Sequence, residues 1–479
     1  MGSIKRTVKK NYLQILVVFF ILSSFLITAF PLLDLDFGWH LQLGNYILLH
    51  GIPVTDPFSY TMPHFPFIDH EWATNIVIAK LFPIIGTSGL TILFCLIAII
   101  PLVIYAVKYS GKISLFLLFL IGGALVNFIG IRPQLLDWVF ADYFFLLFFS
   151  QKLWQKYRFS LPFAMILWVN LHGGFAIGIF FLLLYLCASV IFEGKLIFKD
   201  FFVLILCLMA TFLNPYGPGI WVEVFRQITD TRLRQMIYEW MPTYYFFRPL
   251  LWTYILISLF FVIKALKQLP KQHLVFYFVL FFLGMSSLRQ MPFWLLYSFP
   301  VTVSAARFFV SSISLKFKYE KERLFFIYRS LFVLMFIVWI LQYYSPLSGV
   351  NYPDFYPKQA LAYLKLHPYE GQLFAPYEWG GYLEWQYPNH KVFIDGRMPS
   401  WRWQSPYKKE SSDAFAEYQA VLAGKKPITD IISKYDITRI IFYKALSDKP
   451  AVVKIIQTDL AKNGMKKIYQ DNTAVIYGK

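Results

Sequence analysis

The chain reads as a polytopic α-helical membrane protein carrying a small α/β domain at its C-terminal end, and three observations carry that reading. Hydrophobic residues fill 58% of the 479 positions and charged residues only 15%, against about 25% charged in a soluble domain. Apolar runs recur along residues 1–345, many of them near the length of a bilayer crossing. Beyond residue 345 the pattern changes to short strand-like and helix-like segments in a polar background.

The first apolar run, Leu13 to Leu33, is long enough to cross a bilayer at about 1.5 Å of rise per residue. Lys5, Arg6, Lys9 and Lys10 precede it and are expected to stay cytoplasmic. The run lacks a small-residue cleavage site, so it reads as a retained anchor. Further runs at 88–107, 113–131, 134–150, 160–171, 174–192, 201–214, 249–266, 273–288, 291–310 and 325–345 bring the expectation to about eleven spans. Residues 73–85, which contain Lys80 and Pro83, are read as a short outer or re-entrant helix, because a full span there would invert every later loop. Alternate loops are basic: Lys108 and Lys112; Lys152, Lys156 and Arg158; Lys195 and Lys199; Lys264, Lys267 and Lys271; Lys316, Lys318, Lys321 and Arg323. That alternation predicts a multi-pass protein of the cell membrane with a cytoplasmic N-terminus and an extracytoplasmic C-terminal domain.

Residues 1–345 then form a membrane domain with outer loops at 34–72 and 215–248, and residues 346–479 form the α/β domain. Helix-like stretches are expected at 357–366 and 450–462, and strands at Lys391–Ile394 and Arg439–Tyr443. Segments 466–470 and 473–477 make a hairpin turning at Asp471-Asn472. The net charge of +18 is distributed between the apolar runs, so it marks topology and membrane lipids, and no nucleic-acid partner is expected. Cys95, Cys187 and Cys207 all lie in apolar runs, which argues against a disulfide framework or a cysteine metal cluster.

Asp34-Leu35-Asp36-Phe37-Gly38-Trp39-His40 follows the first run directly and sets two carboxylates and an imidazole where a helix leaves the bilayer. A helix starting near Asp36 would use its carboxylate as an N-cap. A carboxylate not so engaged can take the proton of an acceptor hydroxyl. Asp69-His70-Glu71-Trp72 supplies a second acid–imidazole cluster on the same loop, so His40, His70 and Glu71 are candidates for acceptor or sugar binding. Asp34, Asp36 and Glu71 are the set that would hold a divalent cation such as Mg or Mn. No other cofactor is indicated.

Arg132, Gln134, Asn170, His172, Asn214 and Arg289 sit at outer ends of the runs, where ionisable groups face a cavity or a pathway, or snorkel to headgroups. Their common side with Asp34 and Asp36 predicts a shared cavity. Arg132, His172 and Arg289 there have the donors to hold a phosphate, and Asn214 a hydroxyl. His172-Gly173-Gly174 reads equally well as a tight turn between spans. In the C-terminal domain, Tyr377-Glu378-Trp379-Gly380-Gly381-Tyr382-Leu383-Glu384-Trp385 is dense in aromatics and is followed by Phe393-Ile394-Asp395-Gly396-Arg397. Aromatic rings stack on apolar sugar faces, while acids and arginine bond hydroxyls, so Trp379, Asp395 and Arg397 are candidate sugar-binding residues. Alternatively the Trp and Tyr rings pack at the membrane interface and Asp395-Gly396-Arg397 is a turn.

The string DLDFGWHLQLGNYILLHGIPVTDPFSYT at 34–61, followed by HEW at 70–72, resembles the start of bacterial membrane glycosyltransferases of the GT-C superfamily, including protein mannosyltransferase-like and aminoarabinose transferase-like enzymes. The resemblance implies a GT-C-type membrane fold and a catalytic acid in the first outer loop. Asp36 matches that position, with Asp34 the second candidate. It also implies a sugar donor linked to polyprenyl phosphate or diphosphate, and a lipid, glycan or protein acceptor. The WWDYG signature of oligosaccharyltransferase catalytic subunits is missing, which argues against transfer to asparagine. Two rival readings stay open: a transporter or flippase for lipid-linked sugars, and an O-antigen ligase-like or polymerase-like enzyme. A transporter commonly shows internal repeats and charges near the bilayer midplane, and neither is evident here.

Overall fold

The computed structural model describes residues 2–31, 33–194, 198–314, 330, 333–341, 355–444 and 458–479. The expected basic loop with Lys316, Lys318, Lys321 and Arg323, most of the run at 325–345 and most of the helix at 450–462 lie outside the described residues. The chain is mostly helical with a small C-terminal sheet. Among the described residues four helices are apolar and long enough to cross a membrane: Tyr12–Ala29, Trp72–Lys108, Phe175–Phe192 and Leu288–Ser312. Shorter apolar helices occupy Lys112–Phe128, Pro249–Lys264 and Lys271–Ser286. The runs at 134–150, 160–171 and 201–214 also carry helices, Leu135–Phe148, Leu161–Leu171 and Phe198–Ala210. At 14, 11 and 13 residues these are well short of the ~20 that a perpendicular crossing needs. In Trp72–Lys108 the backbone breaks at Gly86 (φ 62°, ψ −170°). Only glycine adopts such angles cheaply, so a short helix over 72–85 precedes the apolar helix over 87–108.

The chain divides into two compact units. The first comprises Met1–Phe30, Thr91–Pro218 and Thr231–Gly349. Its helices Pro249–Lys264, Lys271–Ser286 and Met291–Ser314 are joined by buried hydroxyls as well as by aromatic packing. Tyr254 bonds Ser298 at 2.8 Å, and Ser258 bonds both Tyr277 and Thr302 at 2.7 Å. Hydroxyl contacts of this kind fasten helices to one another where apolar burial alone gives little preference for one neighbour.

The second unit comprises Pro31–Leu90, Gly219–Asp230 and Val350–Lys479. The first outer loop thus packs with the C-terminal domain, whereas a division in chain order at 345/346 groups it with the spans. The cause is close backbone packing. A Cβ on Gly38 would stand 1.7 Å from the Gly381 carbonyl oxygen, so helix Phe37–His50 and helix Gly380–Gln386 meet at a pair of glycines. Farther along the loop, Ser59 forms a parallel bridge with Val392. The Tyr60 amide donates to Val392 O at 3.1 Å and the Thr61 hydroxyl to Phe393 O at 2.7 Å.

The sheet contains β1 (Gln372–Phe374), β2 (Ile437–Tyr443), β3 (Lys466–Gln470) and β4 (Ala474–Gly478), in the order β1-β2-β4-β3. β1 runs parallel to β2, and the other pairs are antiparallel. The β3–β4 hairpin falls where the alternation predicts it, with the Asp471 carboxylate taking the amides of Thr473 and Ala474 at 2.6 and 2.7 Å. The expected strand at Lys391–Ile394 is not a member of this sheet; its Val392 pairs with the first outer loop instead.

Candidate functional site

The second unit gathers the acids and imidazoles of the first outer loop. Asp36 occupies the N-cap position of helix Phe37–His50, yet its side chain makes no capping bond to the helix amides. Its Oδ1 faces the C-terminal domain, where a Cβ on Gly396 would fall 1.9 Å away. Asp34 Oδ1 accepts the Asp36 amide at 3.0 Å. Both aspartates are half-buried, whereas Asp56, Asp69 and Glu71 are buried.

His40 is buried one turn into the helix, and its Nδ1 turns to the 69–75 segment. Its Nδ1 lies 2.7 Å from Asn75 Oδ1 and 3.5 Å from Glu71 Oε2. Asn75 Nδ2 in turn donates to Asp69 Oδ2 at 2.9 Å, and His70 Nε2 is 3.0 Å from Glu71 Oε1. Burial pulls His40 below the ordinary histidine value even though the Glu71 charge opposes it. His70 shifts the other way: burial is outweighed by its bond to Glu71 and by the charges around it. Burial also pushes Asp69 up to about 6. The two acid–imidazole clusters foreseen on this loop are therefore one network, joined by Asn75.

Asp34, Asp36 and Glu71 are the carboxylates expected to hold a divalent cation. Among the described residues no group of three or more His, Cys, Asp and Glu side chains is arranged to hold a metal ion. Glu71 faces His40 and His70, and one Asp34 oxygen accepts the Asp36 amide.

Three candidate sugar-binding residues of the C-terminal domain are interior groups. Trp379 is fully buried, donates through Nε1 to Phe355 O at 3.0 Å and packs its ring on Tyr443 at 4.3 Å. Arg397 is bidentate on Asp395, with Nε to Oδ1 at 2.9 Å and Nη2 to Oδ2 at 2.6 Å, and it reaches Asp56 Oδ1 at 3.0 Å. Phe58, Phe67 and Trp401 surround the guanidinium at 5.1, 5.2 and 5.4 Å. The Arg397 and Asp395 side chains are 3% and 0% exposed. Glu384 lies 3.7 Å from the same guanidinium. Burial, and then the neighbouring Asp395 charge, push its carboxyl well above the usual carboxylate range.

In the first unit, Arg132, His172 and Arg289 come together. Asp137, buried near the start of helix Leu135–Phe148, holds His172 Nδ1 at 2.8 Å from Oδ1 and 2.7 Å from Oδ2. The same carboxylate accepts Trp168 Nε1 at 2.6 Å. It fills the space above Gly174, where a Cβ would fall 2.3 Å from its atoms, which gives the His172-Gly173-Gly174 turn a packing reason for its second glycine. With Nδ1 directed to a carboxylate, His172 turns Nε2 toward Arg289, 3.4 Å from Nη2. Arg289 also lies 3.7 Å from Glu239 Oε2, and Glu239 Oε1 pairs with Arg132. The Arg289 and Arg132 side chains are 25% and 17% exposed, against 3% for Arg397.

Asn214 serves its own turn. Its Nδ2 donates to Thr211 O and Gly217 O at 2.7 and 3.0 Å, and its Oδ1 accepts the Tyr216 amide at 2.8 Å.

Asn75, Asp137 and Glu239 were not foreseen. Asp137 carried a readable signal, an acid inside an apolar run, and Asn75 lies one helical turn from Glu71. Glu239 stands in a polar loop where nothing distinguishes it. No protein-family model matches this chain, and no curated protein shows significant similarity to it.

Proposed function

We propose that this chain is a membrane glycosyltransferase of GT-C type. It would move a sugar from a polyprenyl phosphate or diphosphate to a lipid, glycan or protein acceptor at the outer face, with about eleven spans. The observation that carries the reading is the state of Asp36: a half-buried carboxylate, just beyond the first membrane-length helix, that does not cap the helix it begins. A carboxylate engaged in capping is held by backbone amides and is a poor base, whereas one that does not cap the helix can accept the proton of an acceptor hydroxyl. Asp34 is the second choice, because one of its oxygens already accepts an amide. Arg132, His172 and Arg289 are assigned to the phosphate of the donor, for which guanidinium forks are suited.

The test is the glycan complement of cells lacking the protein, read by mass spectrometry and restored by plasmid-borne variants. The wild type should restore a sugar missing from an otherwise intact acceptor. Asp36→Asn should restore it about 10²–10⁴-fold more slowly, the usual scale of general acid–base catalysis. Full restoration by both Asp36→Asn and Asp34→Asn would refute the carboxylate role. Accumulation of an inward-facing lipid-linked precursor would favour the flippase.

The orientation proposed is a cytoplasmic N-terminus and an extracytoplasmic C-terminal domain, as the alternating basic loops require. In a variant lacking Cys95, Cys187 and Cys207, Glu370→Cys should react with a membrane-impermeant maleimide in intact cells. Lys108→Cys should react only after permeabilisation; the reverse pattern would invert the protein.

A further inference from the structure

Glu239 holds a position that the phosphate-binding reading leaves unexplained. It lies in the short 3-10 turn Tyr238–Trp240, whose backbone is fastened to the turn bearing Arg289. The Leu288 amide donates to Met241 O at 2.9 Å and the Ser287 hydroxyl to Glu239 O at 3.3 Å. Trp240 adds a ring 5.4 Å from the Arg289 guanidinium. From this fixed backbone the Glu239 carboxylate directs Oε1 to Arg132 and Oε2 to Arg289, one oxygen to each cation.

Two guanidiniums brought to one point repel each other unless an anion lies between them. A carboxylate with one oxygen on each supplies that anion, and its two-oxygen bite is the one that two non-bridging oxygens of a phosphate would also present. The Glu239 side chain is 25% exposed, and its backbone is anchored independently of the carboxylate, so it can rotate away without unfolding the turn. His172, held by Asp137, stays against Arg289 whether or not Glu239 is in place.

We propose that Glu239 is a resident stand-in for the donor phosphate: it neutralises Arg132 and Arg289 in the empty site and is displaced when a phosphate or diphosphate binds between them. The proposal rests on the assignment of Arg132 and Arg289 to the donor phosphate. It predicts that the site binds anions more weakly than its two arginines would allow, because each ligand must first compete with an internal carboxylate.

The experiment is equilibrium binding to the full chain in detergent and in nanodiscs, at one fixed ionic strength, comparing the wild type with Glu239→Gln. One arm uses inorganic pyrophosphate, and the other uses undecaprenyl phosphate in the nanodisc bilayer. Glutamine keeps the shape of the side chain and removes its charge, so affinity should rise at least about tenfold, the low end of what a charge-assisted hydrogen bond contributes. Adding Arg289→Gln to Glu239→Gln should abolish the gain. Tightening in both arms shows that the phosphate group alone is read; tightening in the lipid arm only assigns the ligand to the membrane. Unchanged or weaker binding in Glu239→Gln, or no binding of either probe, overturns the proposal. These outcomes are separate from those of Asp36→Asn: the binding arms read phosphate affinity without requiring any sugar transfer, so a chain that transfers no sugar can still show the tightening.

Discussion

Arg397 in the second unit and Arg289 in the first are both arginines set among carboxylates and aromatic rings, and they illustrate how burial decides what an ion pair does. Arg397 grips Asp395 with two parallel bonds, reaches Asp56 and is enclosed by Phe58, Phe67 and Trp401, with only 3% of its side chain exposed. Arg289 meets one Glu239 oxygen at 3.7 Å, a histidine at 3.4 Å and a single indole, and is 25% exposed. A charge that has lost its water must keep its partners permanently, because releasing them would strand it in a low dielectric. A charge that keeps part of its hydration can exchange one anion for another at small cost. The first arrangement suits a fastener and the second suits a receptor, although the residue types are nearly the same.

The contrast breaks most visibly in stability. Arg397→Met should cost about 3–5 kcal/mol, the scale for removing one member of a buried ionic group, because Asp395 and Asp56 are left buried and uncompensated. Arg289→Met should cost no more than about 1 kcal/mol, as for an exposed pair. Thermal unfolding of the full-length protein in detergent, followed by tryptophan fluorescence, measures both. Equal midpoints for the two variants would mean that the Arg397 cluster is no more than a surface pair in its energetics.

The same contrast explains which parts of the molecule could be read from the amino-acid order. Local patterns were legible: the apolar run over Leu13 to Leu33, the short helix before Gly86 and the β3–β4 hairpin at Asp471 each follow from neighbours in the chain. The acids and histidines of the first loop were recognisable as a group, but their pairing through Asn75 was not, since His40 and Asn75 are 35 residues apart. The burial of Asp395 and Arg397 was not legible, for a physical reason. Acid–arginine pairs and indoles make both sugar sites and buried fasteners, and only tertiary burial separates the two. The close approach of Gly38 to Gly381 has the same origin: a glycine declares that a backbone can come near, without saying which one. Asn214 shows the converse, a polar residue near a span end whose bonds all return to its own turn.

A smaller effect sharpens the comparison through pH. The fastener around Arg397 contains more acid than base, since Asp395, Asp56 and Glu384 face one guanidinium. Burial first, and then the Asp395 charge, raise the Glu384 carboxyl well above its ordinary value of 4.5. The folded state therefore holds a proton that the unfolded chain releases near that ordinary value. Stability contributed by this group is fully present below pH 4.5 and declines as pH rises from there toward the higher folded value. Glu384→Gln keeps a neutral side chain of the same shape at every pH, so it should flatten that decline and raise the midpoint of thermal unfolding more at pH 8 than at pH 5. His40 titrates in the opposite sense, its lowered value costing stability as pH falls below the ordinary 6.5. The comparison is therefore made between wild type and variant at each pH, which cancels His40. A midpoint shift equal at the two pH values would show that Glu384 is ionised in the folded protein and that Arg397 alone balances three carboxylates. The cluster would then be held by charge throughout, like the open pair at Arg289 and Glu239.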